Sequence, residues 1–299
     1  MMPGLAGWCQ AALFDQRQCD DAELDQRSDV KTMLLRFRVV GLVMGALLGC
    51  AVLPELAPPA LTDLVPTGTL RAAINFGNPI LATRDAATGE PRGVSVDLSR
   101  SLAARLGVPL QLVPFESAGK VVEAARTGQW DVAYVALDPA RALDMLQTPP
   151  YLTIEGAYLV RAESAIRRNE DVDRAGVRIA VGKGSAYDLH LARTLRNATL
   201  VHAPTSPAVT DLFLAQGLDV AAGVKQQLQS DAQRLPGLRL LDGRFMVIQQ
   251  AMATPLGRDA GARYLHEFVE TMKHSGYVAQ ALARHGIEGA SVAPPAGGR

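Results

Sequence analysis

Short strand-like runs alternate with helix-like segments along the chain from residue 70 onward. The apolar run Leu70–Phe76 ends at a Gly-Asn-Pro turn, which is typical of a strand end. Apolar residues then recur every four positions from Val94 to Leu106, which predicts an amphipathic helix that stops at Gly107. Further strands are predicted at 110–115 and 130–137, with a helix at 118–127 between them. This alternation over short connections predicts an α/β fold with a parallel or mixed sheet.

The same rhythm recurs in a second set of segments, without repetition of the sequence. Its predicted strands are 178–181, 199–203, 218–224 and 245–252, and its helices are 186–195, 207–216 and 225–235. Two more helices are predicted within 259–284, and residues 289–299 are expected to be disordered. A chain of 299 residues is long enough for two compact units of roughly 100 to 150 residues each.

Composition narrows the classes of partner. Thirty basic residues balance thirty acidic ones, so the sequence predicts no nucleic-acid partner. The five histidines are scattered without the paired spacing of metal ligands, and neither a Walker loop nor a nucleophile elbow is present, so we expect no metal and no cofactor. All three cysteines lie in the first fifty residues, so no disulfide within the folded body is expected.

Residues 1–60 are expected to be an N-terminal extension, a signal segment and a linker. Arg36 and Arg38 precede an apolar run over 39–53, which is typical of a secretory signal and short for a membrane span of about 20 residues. The segment that ends at Cys50 resembles a lipoprotein lipobox, while cleavage after Ala51 is an equally open alternative. We therefore expect a periplasmic protein, either free or anchored as a lipoprotein through Cys50.

The polar, acidic stretch 1–32 is an unusual leader for a signal segment. Met33 is therefore our hypothesis for the natural start of translation.

Several short segments resemble, in order, those of the bacterial solute-binding protein family 3, the type II periplasmic binding proteins of ABC importers. They are TGTLRAAINFG, GEPRGVSVDLSRSLAARLG, ARTGQWDVAYVAL, PAR and TPPY, within a region from Leu61 to Gly286. The resemblance implies two α/β lobes joined by two crossing strands, near Gly156–Val160 and Met246–Met252. Lobe 1 would comprise 61–157 plus 250–288, and lobe 2 would comprise 158–249.

The resemblance also implies a function. The chain would be the monomeric solute-binding component of an ABC importer, closing around a small polar metabolite and passing it to a permease in the inner membrane. One alternative is an exported dehydratase of cyclohexadienyl type, for which Glu116 and Glu155 are candidate carboxylates. Another is a sensory ligand-binding module.

Arg141 is the foremost candidate for ligand binding, because the matching arginine in amino-acid receptors grips the ligand carboxylate in a bidentate pair. The alternative is a surface arginine that pairs with Asp138 or Asp144. The loop from Gly182 to Ser185 precedes a helix, so its N–H groups are candidates for an anion site, with Ser185 also a helix cap. The complete set of expected ligand residues is Asn75, Phe76, Gly77, Asn78, Ser117, Ala136, Asp138, Arg141, Lys183, Gly184 and Ser185.

Several positions depart from the pattern of amino-acid receptors. Ser117 replaces an aromatic residue, and Ala136 replaces a common hydroxyl donor. Where many receptors carry an aspartate for the ligand ammonium group, this chain has Gly223 and Val224. Because a buried ammonium group without a carboxylate is costly, an organic acid is at least as plausible a ligand as an α-amino acid.

Overall fold

The computed structural model describes residues 58–297, so the signal segment and Cys50 lie outside the described residues. The helices are α1 (Pro58–Leu64), α2 (Val94–Leu106), α3 (Ala118–Ala125), α4 (Ala186–Thr194), α5 (Val209–Ala215), α6 (Lys225–Arg234), α7 (Asp259–His274) and α8 (Tyr277–Arg284). The strands are β1 (Leu70–Asn75), β2 (Thr83–Arg84), β3 (Pro91–Arg92), β4 (Leu110–Phe115), β5 (Val132–Ala136), β6 (Met145–Arg161), β7 (Arg178–Gly182), β8 (Thr199–Ala203), β9 (Val220–Val224), β10 (Leu238–Leu240), β11 (Met246–Pro255) and β12 (Ser291–Val292).

One mixed sheet runs through the protein in the order β4-β1-β5-β11-β6-β9-β7-β8. At one end β1 pairs in parallel with β4 and β5, and at the other end β7 pairs in parallel with β8 and β9. The antiparallel strands β6 and β11 pair with each other between these groups. β11 also pairs with β5 of the first group, and β6 also pairs with β9 of the second. We call the part around β1 the first half and the part around β7 the second half. The predicted α/β fold with a mixed sheet flanked by helices is confirmed, whereas the exact lobe boundaries stay a prediction.

The central strand β6 is seventeen residues long and contains two consecutive prolines, Pro149 and Pro150. Proline cannot donate to a strand ladder, and the pairing with β11 is irregular there, with Ala251 opposite Pro150 and register shifts on either side. The hydroxyl of Thr148 accepts a hydrogen bond from the Met252 N–H at 3.1 Å. Because of this irregularity, the sequence pattern does not predict the full length of β6. It predicts an extended segment only near residue 156.

The core of the first half contains the largest aromatic side chains. Trp130 is fully buried and donates its indole N–H to the Val121 carbonyl at 2.9 Å. Tyr151 is also fully buried and meets Tyr134 edge to face. Both conspicuous aromatic residues therefore serve packing.

The C-terminal segment differs from its expected disorder. Ser291 and Val292 pair with β6, and the Ala293 N–H donates to the Tyr151 carbonyl at 3.1 Å. Lys273 reinforces this docking by donating to the Pro294 carbonyl at 2.9 Å. Backbone pairing to an otherwise open stretch of β6 orders a segment whose composition alone suggests disorder. Within residues 58–297, no helix combines the length and the apolarity that crossing a membrane requires.

Candidate functional site

A small cavity of about 30 Å³ lies where the two halves of the sheet meet. Its walls come from strand ends β1, β5 and β9, from the start of α4 and from β11, as expected for ligand sites of open α/β sheets. The lining residues are Asn75, Gly77, Asn78, Ala118, Val135, Ala136, Arg141, Ser185, Ala186, Tyr187, Ser206, Val224, Ile248 and Gln250. The structure thus brings six of the eleven expected residues together in this cavity: Asn75, Gly77, Asn78, Ala136, Arg141 and Ser185.

Arg141 lies in a short helical turn just after β5, and only 2% of it is exposed. Its Nη1 donates to the Ala136 carbonyl at 3.0 Å, and its Nη2 donates to the Gly184 carbonyl at 2.9 Å. The buried Nε has no hydrogen-bond partner. Burial lowers the pKa of the guanidinium to about 10, against an opposing effect of Asp138. Arg141 is therefore a buried cation that neutral carbonyl groups hold in place.

The alternative of a surface arginine paired with a nearby aspartate is wrong. Asp138 instead accepts from Arg193 of α4 at 2.8 Å, and Asp144 accepts from Arg126 at 2.7 Å. Both candidate partners are thus engaged elsewhere, which leaves Arg141 turned towards the cavity.

The loop before α4 differs from the expected anion-binding loop. The N–H of Lys183 donates to the Ala203 carbonyl, and the N–H of Ser185 donates to the Gly182 carbonyl. The N–H of Gly184 donates to the Asp188 carboxylate at 2.8 Å. All three N–H groups already have acceptors within the protein, so they are not open to an anion. Ser185 does cap α4, since its hydroxyl accepts from the Asp188 N–H at 3.0 Å.

The turn after β1 forms one wall of the cavity. The side-chain oxygen of Asn75 accepts from the Gly77 N–H at 2.9 Å, and that of Asn78 accepts from the Ile80 N–H at 3.1 Å. A Cβ atom at Gly77 would lie only 2.8 Å from the Glu116 carbonyl oxygen, so this close approach requires glycine.

The other five expected residues are not part of the cavity lining. Phe76 packs beneath the guanidinium of Arg84, 4.1 Å from the ring centre. Ser117 caps α3, and it lines a more open depression together with Lys183 and Gly184. Asp138 is buried by its pair with Arg193 and by accepting from the Ala140 N–H. Their predicted ligand contacts thus find no support in their placement at this cavity.

Tyr187, Ser206, Ile248 and Gln250 also line the cavity, and the sequence did not single them out. The side-chain oxygen of Gln250 is buried without a hydrogen-bond partner, whereas the buried hydroxyl of Tyr187 lies close to Ser206, Ser185 and the Gly182 backbone. Burial raises the pKa of Tyr187, although the nearby Ser206 lowers it. Gln250 had a detectable signal, because it occupies the same face of β11 as the apolar residues Ile248 and Met252.

The family model for bacterial extracellular solute-binding proteins, family 3, matches residues 70–287. The chain belongs to this family. The expected family resemblance is thereby confirmed, and with it membership of a group of extracellular solute-binding proteins. A search of curated proteins gives no match for this family member.

Three solved structures similar to this family 3 protein represent different activities. An amino acid ABC transporter substrate-binding protein from Streptococcus pneumoniae, bound to L-arginine, is 19% identical, with TM-score 0.65 over 76% of this chain and 97% of the other. The ancestral amino acid-binding protein AncCDT-1, a precursor of cyclohexadienyl dehydratase, is 21% identical, with TM-score 0.64 over 75% and 98%. A histidine kinase sensor domain with similarity to periplasmic binding proteins is 20% identical, with TM-score 0.65 over 75% and 98%. At these identities the likeness shows the shared two-lobed fold alone.

Proposed function

We propose that this family 3 protein captures a small carboxylate-bearing metabolite outside the cytoplasm and delivers it to an ABC permease. The observation that carries this proposal is Arg141, a buried residue that lines the cavity and whose Nε has no hydrogen-bond partner. A buried cation without a counter-charge is costly, and a ligand carboxylate would supply both that charge and the missing acceptor. The site would therefore gain most from binding an anion.

Capture requires the two halves to move. The cavity of about 30 Å³ is far below the roughly 300–1,000 Å³ of ligand pockets, so a metabolite would need more space than this arrangement of the halves provides. Separation of the halves about β6 and β11 would admit the solute, and closure would then bury it.

Two contacts across the cleft would stabilise the closed form. Arg193 of the second half donates to Asp138 of the first half at 2.8 Å. Gly184 approaches Gly119 so closely that a Cβ atom on Gly184 would lie 2.8 Å from the Gly119 Cα. Arg141 adds a third contact through the Gly184 carbonyl, and it would thus couple ligand binding to closure.

The dehydratase alternative finds less support at this cavity. Glu155 binds Lys225 at 2.8 Å and also pairs with Arg244, outside the cavity lining. Glu116 is largely exposed, and its side chain lies 3.8 Å from Arg84. Neither candidate carboxylate is therefore placed to exchange a proton with a bound solute. For the sensory alternative, no residue of the cavity distinguishes it from a transport receptor.

Substitution of Arg141 tests the proposal. We expect Arg141→Met to weaken carboxylate binding about 100-fold, since it removes charge-assisted hydrogen bonds worth roughly 1.5–3 kcal/mol. Isothermal titration with a panel of carboxylates identified by thermal shift would measure the loss. Arg126→Met is the matched control, because Arg126 is 72% exposed and lies outside the cavity. Undiminished carboxylate binding by Arg141→Met would contradict the proposal.

The proposed location has its own test. Fractionation of cells that express the full chain would place it in the periplasm, and Cys50→Ser would release any lipid-anchored fraction from the membrane. Retention of the wild-type protein in the cytosol would contradict export.

A further inference from the structure

The charges around the cavity are unbalanced. Among its lining residues in the described part of the chain, Arg141 is the one with a charged side chain. The acidic residues nearest to it in the fold are committed elsewhere. Asp138 pairs with Arg193, and Asp188 accepts from the Gly184 N–H and contacts His202 at 2.9 Å. The cavity therefore offers one cation and no carboxylate.

The wall formed by Val224 strengthens this imbalance. Val224 ends β9, lines the cavity and is the residue that caps α6, a helix of ten residues. The amino end of that helix carries partial positive charge, which adds to the field of Arg141. An ammonium group would thus meet an apolar side chain and repulsion instead of a counter-ion.

The cavity does provide partners for neutral polar groups. The side-chain oxygen of Gln250 is buried without a hydrogen-bond partner, and Tyr187 lines the same space with its hydroxyl near Ser185 and Ser206. A ligand hydroxyl could donate to the Gln250 oxygen, which would supply the partner that this buried acceptor lacks. Hydrogen bonding of this kind requires no second charge on the ligand.

We propose that the preferred ligand is a small hydroxy acid whose carboxylate binds Arg141 and which lacks an ammonium group. This inference rests on the proposed function, and it narrows the ligand to one chemical class. Hydroxyl and ammonium substituents are similar in size, so charge would be the basis of the discrimination.

Matched ligand pairs test the inference by isothermal titration of the purified protein. The pairs are L-lactate with L-alanine, glycerate with serine, and L-malate with L-aspartate. We expect the hydroxy acid of the best-fitting pair to bind at least about tenfold more tightly, which corresponds to about 1.4 kcal/mol. Equal or tighter binding of the amino acid would overturn this inference while leaving carboxylate capture intact. If no member of any pair binds, the inference is also overturned, whereas the proposed function is decided by the wider carboxylate panel.

A pair of variants at Val224 tests the physical basis. Both aspartate and asparagine are favoured as helix caps, so Val224→Asp and Val224→Asn are matched except for charge. We expect Val224→Asp to lose hydroxy-acid affinity and to gain amino-acid affinity by about tenfold relative to Val224→Asn. If both variants fold, as judged by circular dichroism, and show the same preference, charge does not set the specificity and the inference fails. If either fails to fold, the ligand pairs on the wild-type protein decide.

Discussion

Two buried charges in the first half are treated in opposite ways. The side chain of Asp131 is fully buried, and it accepts four hydrogen bonds: one from the Arg71 N–H, two from the Arg71 guanidinium and one from Arg258. Arg141 is also buried, yet its nearest aspartates pair with other arginines and its Nε has no partner. The charge of Asp131 is paired with opposite charges within the protein, whereas no carboxylate of the described residues pairs with the charge of Arg141.

The difference separates a structural charge from the charge that we propose binds the ligand. Arg258 also donates to the Asp63 carbonyl at 2.9 Å, so the Asp131 cluster ties β5 to the α1 region and the start of α7. A completed cluster needs nothing from outside and can only hold the fold together. An incomplete one remains costly until an external group completes it. Incomplete pairing, rather than burial, is therefore what indicates the site.

The largest expected effect is that of Asp131→Asn. It would leave Arg71 and Arg258 around a neutral amide, and we expect the free energy of unfolding to fall by about 3 kcal/mol. Urea denaturation measures this loss. Asp144→Asn is the control, because its partner Arg126 is 72% exposed and the expected loss is below about 1 kcal/mol. Equal losses of unfolding free energy in the two variants would contradict the distinction between the buried Asp131 cluster and an exposed ion pair.

A smaller effect is expected for the ion pair that crosses the cleft. Arg193→Met removes the partner of Asp138, and since Arg193 is 47% exposed we expect the loss to be limited to about 1 kcal/mol. That loss would appear as ligand dissociation about fivefold faster, measured by stopped-flow fluorescence. Arg126→Met removes a comparable pair within the first half and should leave dissociation unchanged. An unchanged rate for Arg193→Met would show that this pair does not hold the closed form.

The smallest effect on stability is expected for Arg141→Met without ligand. Arg141→Met removes a buried cation whose desolvation is costly, and this gain offsets the loss of its hydrogen bonds to the Ala136 and Gly184 carbonyls. We therefore expect the free energy of unfolding to change by less than about 1 kcal/mol, in the same urea experiment as for Asp131→Asn. A destabilisation as large as that of Asp131→Asn would mean that Arg141 is structural.

Local sequence signals predicted most of the strands and helices, because the patterns that specify these elements involve residues close together in the chain. The repeat that ends at Gly107 gave α2, and Gly107 does adopt a left-handed cap with φ of 67°. Strand ends also indicated Asn75 and Gly77 as cavity residues. Phe76 between them does not line the cavity, since its ring packs beneath Arg84 from the β2 strand, and its contact with a ligand stays a prediction.

Local sequence signals did not predict the full strand β6 or the pairing of the C-terminal segment. Two prolines obscured β6, and the order of Ser291 and Val292 comes from pairing with residues far away in the sequence. Tyr187 was missed because a tyrosine on a short helix looks the same whether it faces a core or a cavity.

The sequence by itself determined the alternation of strands and helices, the family and the arginine at position 141. It could not determine which charged groups find partners, because those partners are distant in the chain. Arg71 is 60 residues from Asp131, and Arg193 is 55 residues from Asp138. Only the tertiary structure brings these groups together, and by pairing the neighbouring aspartates with other arginines it leaves the charge of Arg141 open to a ligand.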